Sequence, residues 1–113
     1  MKIITSITAS PKQSFTLKLD NNESARIRMY FYPTQKSWYF DLEYKGYINN
    51  GNKIVQTMNA LRHLRDRIPF GLAIVSSTQA EPFGLDDFAS GKVLMLLLNS
   101  EEVETIEEVV YGG

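Results

Sequence analysis

Three consecutive segments of this chain alternate apolar and polar residues with a period of two, and that pattern limits the fold more than anything else in the sequence. Phe15, Leu17 and Leu19 recur within residues 14–20; Ile27, Met29 and Phe31 within 24–32; and Trp38, Phe40, Leu42 and Tyr44 follow. Only a strand sends successive side chains to opposite faces, so each segment predicts a strand with one face buried. Asn21-Asn22-Glu23 tolerates turn geometry, and Pro33 with Thr34-Gln35-Lys36 breaks the next run, so hairpins join the three. Gly46 and the Asn49-Asn50-Gly51-Asn52 cluster frame Tyr47-Ile48 and Ile54-Val55, which predicts a further tight hairpin.

The period changes after Gln56. Met58, Leu61, Leu64 and Arg65 fall at helical spacing, so a short helix or helical turn is expected over residues 56–68, ended by Pro69. Residues 71–77 form a continuous apolar run of the kind buried on both faces, residues 85–88 a turn, and residues 92–99 the strongest strand. From Ser100 to Gly113 five glutamates are interspersed with Val103, Ile106, Val109 and Val110, a pattern open to helix or strand. With 113 residues and no internal repeat, a single domain over 1–113 is expected, with a β core at about 14–99 and an acidic tail at 100–113. The fold class is all-β, mainly antiparallel: a small β-barrel or sandwich with one short helix.

Composition excludes several functions. There is no cysteine, hence no disulfide framework, no thiolate nucleophile and no sulfur-ligated zinc. The longest apolar run, Val93 to Leu98, is far short of the roughly 20 residues of a membrane span, and the N-terminal residues lack a signal-peptide apolar region. A formal charge of -1 gives no global attraction to nucleic acid or anionic lipid. The charge is nevertheless segregated: residues 1–72 carry 11 basic and 5 acidic side chains, a balance of +6, and residues 73–113 carry 1 and 8, a balance of -7. Such asymmetry fits head-to-tail or heterologous docking where it is also spatial, and equally fits a polar fold with a solvated acidic end.

Catalytic signals are sparse. His63, the only histidine, has Asp66 three residues on, but Arg62, Arg65 and Arg67 flank the pair, as on an ordinary solvated surface. Asp86-Asp87 lacks the extended series of oxygen ligands of a calcium loop, and the glycines form neither a phosphate loop nor a dinucleotide fingerprint. No catalytic, cofactor or metal residues are assigned. The strongest binding signal is the Arg26, Arg28, Tyr30 and Tyr32 stripe on one face of the second strand. Protein docking is its expected use; the alternative is single-stranded nucleic acid, with cations on phosphates and rings on bases.

The ordered set of the Trp38-Tyr-Phe-Asp-Leu42 strand, Gly46 and Gly51, the Asn59-Ala-Leu61 to Pro69-Phe-Gly71 segment, Leu72-Ala-Ile-Val75, and residues 83–94 resembles a known family. That family is the small baseplate plug proteins of contractile-tailed bacteriophages, and the resemblance spans about residues 14–99. It implies a non-enzymatic virion protein, made in the host cytoplasm and placed on the tail axis between tail tube and central hub or spike. It also implies partners among the tube, hub and other baseplate proteins, a homo-oligomer on the tail axis, no cofactor, and no catalytic residue to carry over.

Overall fold

The computed structural model describes residues 1–19, 22–64, 67–77 and 83–110. Strands β1 (Lys2–Ile3), β2 (Lys12–Lys18), β3 (Ser24–Tyr32), β4 (Ser37–Tyr44), β5 (Tyr47–Lys53), β6 (Gly71–Ser76) and β7 (Val93–Leu98) precede one helix, α1 (Ser100–Val109). All pairings are antiparallel. β2, β3, β4 and β5 form a meander in that order, and β1, β7 and β6 form a second sheet. The two sheets close on a shared core, so the protein is a sandwich and not a closed barrel.

The alternation delivers this core. Ile27, Met29, Trp38, Phe40 and Leu42 from the meander meet Leu72, Ile74, Val93 and Met95 from the smaller sheet, all essentially inaccessible. β6 is buried on both faces over Gly71–Ile74, because Ala73 points the other way and packs with Leu98 of β7 and Ile106 of α1, whereas Val75 further along that second face is exposed. The layer order is therefore meander, small sheet, helix. The acidic tail resolves to helix because Asn99 caps it: its side chain accepts from the Glu102 amide at 2.9 Å, and the Glu102 carboxylate accepts from the Asn99 amide at 3.0 Å.

One expectation needs correction and a second narrows. No hairpin is centred on Asn49–Asn52. The turn lies earlier, at Lys45 (φ 48°) and Gly46 (φ 80°), both in the left-handed region that a two-residue hairpin turn needs. β5 then runs through the asparagines as one strand, with a bulge: Phe40 pairs with Asn52 and Leu42 with Asn49, so Asn50 and Gly51 together oppose Asp41. Gly51, at φ 75°, is the bulge residue. Residues 56–68 hold the shorter of the two expected forms, a helical turn, and no longer helix among the described residues. Only Arg62–Leu64 forms a 3-10 turn, while the stretch before it lies extended along β6: Thr57 exchanges backbone bonds with Ile74, and the Ala60 amide donates to the Leu72 carbonyl at 2.7 Å. The buried Asn59 fixes this course, its Oδ1 accepting from the Leu61 and Leu72 amides at 3.0 and 3.2 Å. A side chain that satisfies two strand-side amides overrides helical spacing, although Leu61 and Leu64 still turn into the core. Among the described residues the α-helix is thus at 100–109, not at 56–64.

Residues 83–91 fold as turns over the core. The Trp38 Nε1–H donates to the Gly84 carbonyl at 2.9 Å, and Phe88 meets the indole edge-on at 5.9 Å between centroids. Asp87 Oδ2 accepts from the Gly84 amide at 2.7 Å, so the Asp86-Asp87 pair is turn chemistry.

Candidate docking surface

The outward face of the meander is set by register. Tyr30 pairs with Tyr39, Arg28 with Asp41 and Arg26 with Glu43, and on β2 the partners of Tyr30, Arg28 and Arg26 are Lys12, Ser14 and Thr16. All four residues predicted for an interface, Arg26, Arg28, Tyr30 and Tyr32, lie on this face. Arg26, Arg28 and Tyr32 are exposed and Tyr30 is half-buried.

Its centre is Asp41, only 8% exposed. Arg28 donates from Nε and from a terminal nitrogen to Oδ2 at 3.1 and 2.6 Å; Oδ1 accepts from the Tyr30 hydroxyl at 2.9 Å and from the Gly51 amide at 2.8 Å. Burial works to raise the Asp41 pKa, but the Gly51 amide, Arg28 and Tyr30 outweigh it and hold the carboxyl below the usual range. Burial, followed by the bond to Asp41, pushes the Tyr30 hydroxyl up to about 12, so it stays a donor at neutral pH. The Arg28 guanidinium is raised by its hydrogen bond to Asp41. The bulge explains the arrangement: the extra residue on β5 turns the Gly51 amide towards the carboxylate.

Beside this cluster the tyrosines form a contiguous patch. Tyr30 stacks on Tyr39 at 6.0 Å and meets Tyr32 edge-on at 5.3 Å, while Tyr32 and Tyr39 lie 5.2 Å apart. Tyr39 is oriented by donating to Gln35 Oε1 at 2.7 Å. An open groove of ≈ 750 Å³ follows Lys12, Ser14, Arg28, Tyr30, Tyr32 and Pro33. Sequence reading found the stripe but missed Asp41, Tyr39 and Gly51. The β4 alternation, which puts Tyr39, Asp41 and Glu43 opposite Trp38 and Phe40, was the signal that could have found the first two.

This geometry suits contact with a surface more than chemistry on a small molecule. Arg28 is committed to Asp41 and Arg26 sits across from Glu43, which leaves less positive charge for phosphates than the stripe alone suggests. His63 is exposed on the 3-10 turn, remote in the chain from the tyrosine patch; Asp66, its proposed orienting partner, lies outside the described residues. Among the described residues no helix is long and apolar enough to cross a membrane, and no group of three or more His, Asp or Glu is placed to hold a metal.

Fold and surface together define a small two-sheet β protein with a solvent-facing tyrosine and arginine face on a rigid core. Residues 1–101 match the family model described as cyanophage baseplate Pam3 plug gp18, and the chain belongs to this family of phage baseplate plug proteins. No curated protein matches the chain. The match takes in the N-terminal residues that the resemblance left out and stops at the first turn of α1, so most of the helix lies beyond it.

Proposed function

We propose that the chain is a structural, non-enzymatic component of the virion tail, a plug on the tail axis between tail tube and central hub of a contractile phage. It is made in the host cytoplasm and docks on other baseplate subunits through the Arg26, Arg28, Tyr30 and Tyr32 face. The observation that carries this reading is the family match over residues 1–101. The exposed tyrosine patch supports the choice of face, since tyrosine and arginine are enriched at protein interfaces and supply contact area at low entropic cost.

The test uses Arg26→Glu with Tyr32→Ala, two exposed positions outside the Asp41 cluster. The variant is expected to melt like wild type yet to be absent from purified virions when it replaces the wild-type gene product. Virions that incorporate it at wild-type level would rule this face out as the docking surface. Salt-sensitive binding of oligonucleotides by the wild type, lost in the variant, would put the nucleic-acid alternative in its place.

A further inference from the structure

Building on that docking face, we infer that its occupant is the outer side of α1 from a second copy of this chain, so that copies join front to back. On the meander side, Lys12, Arg26, Arg28 and Lys53 are exposed on the face that carries the tyrosine patch, against the carboxylates Asp41 and Glu43. The Asp41 charge is taken up by Arg28. On the helix side, Glu101, Glu104 and Glu108 are exposed and spaced by three and four residues, which aligns them along one face. The last basic residue in the sequence is Lys92, so α1 carries no cation of its own to offset them.

These two faces lie at opposite ends of the layer order. The basic residues of the meander face and the exposed glutamates of α1 are therefore separated by the small sheet, while Arg62 and the N-terminus of the same basic segment pair with Glu107 and Glu102 on the helix. Each face adds apolar contact: Tyr30, Tyr32 and Tyr39 on the meander, and Val109, 78% exposed, at the end of α1. The groove beside Tyr30 and Tyr32 gives the helix ridge a place to lie. A two-fold pairing of either face with itself would set like charges opposite one another, whereas front-to-back docking sets the lysines of the meander, Lys12 and Lys53, against glutamate. Such a contact joins two different surfaces, so repeated copies close into a ring or extend as a stack.

Because the chain has no cysteine, single cysteines report contacts without background. Full-length Lys12→Cys and Glu104→Cys proteins, mixed at high concentration under a mild oxidant, are expected to give the mixed disulfide about tenfold faster than either self-disulfide at low salt, and to lose that preference at high salt. Glu104→Lys with Glu108→Lys is expected to abolish the preference in a Glu101→Cys probe, and Arg26→Glu with Lys53→Glu on the Lys12→Cys partner to restore it. Faster Lys12 self-linkage, or no preference at all, would overturn the proposal. Virion incorporation separates this from the broader reading. If the doubly lysine-substituted helix variant enters particles normally while Arg26→Glu with Tyr32→Ala does not, self-docking fails and the docking face stands. If both enter normally, both fail.

Discussion

Gly71→Ala tests whether the close approach between β6 and the stretch before the 3-10 turn holds the sandwich together. A Cβ at this position would lie 2.8 Å from Asn59 Oδ1, 2.9 Å from Asn59 Cγ and 3.0 Å from a Val103 methyl of α1. Asn59 has little room to retreat, being 4% exposed with its oxygen shared by the Leu61 and Leu72 amides. Displacing it leaves two buried donors without their acceptor, at about 1–3 kcal/mol each. Stiffening of the unfolded chain by alanine returns about 0.4–1 kcal/mol. The expected net loss is about 1–5.5 kcal/mol, or a Tm lower by roughly 4–22 °C for a chain of this length. Urea unfolding followed by tryptophan fluorescence measures it through the midpoint, with the slope unchanged. In an Asn59→Ala background, which removes the obstruction, the same glycine change should cost less than about 1 kcal/mol. A Gly71→Ala midpoint within error of wild type, or costs that simply add in the double variant, would refute the packing argument.

Trp38→Ala removes an inaccessible indole, its bond to the Gly84 carbonyl and its contacts with Phe31 and Phe88, so a loss of about 3–5 kcal/mol is expected in the same unfolding assay; an unchanged melt would place Trp38 outside the core. The Asp41 carboxyl is held below its ordinary value in the folded protein, so its contribution is present above the unfolded pKa and disappears as pH falls through the folded one. Asp41→Asn should therefore show a shallower stability decline than wild type from about pH 5 to about pH 2, and parallel curves would count against the cluster. His63→Ala, at an exposed site, should shift stability by less than about 0.5 kcal/mol and leave plaque titre unchanged. A hundredfold drop in titre in normally assembled particles would point to a catalytic imidazole, that being about the smallest loss expected on removing a general base.

The meander was legible because its information is local. Ile27, Met29, Trp38, Phe40 and Leu42 occupy the core for the same period-two reason that made their segments readable as strands, and Arg26 and Arg28 point outward by the same parity. In residues 56–68 the helical turn was legible but the extended course of 57–60 before it was not, because that course depends on Asn59 meeting an amide thirteen residues away, a contact that hydrophobic spacing does not encode. The asparagine cluster was misread because a bulge and a hairpin turn draw on the same residues, and only the pairing with β4 distinguishes them. At the surface, individual strands disclosed which residues face solvent, but the bonds of Asp41 to Arg28, Tyr30 and Gly51 join three strands and depend on their relative register.

The Thr57–Ile74 and Ala60–Leu72 backbone bonds have a consequence for how copies of this protein meet. They occupy the rim of β6 that would otherwise offer free amides and carbonyls to a neighbouring chain. The remaining rims are guarded in other ways: β5 is interrupted by its bulge, β2 carries lysine at both ends and follows Pro11, and β1 is two residues long. Strand addition, the route by which crowded β proteins polymerise without limit, is thus discouraged at every border of both sheets. Contact between copies, where it occurs, is thereby left to side-chain surfaces, whose fit sets how far it can extend, rather than to backbone stickiness.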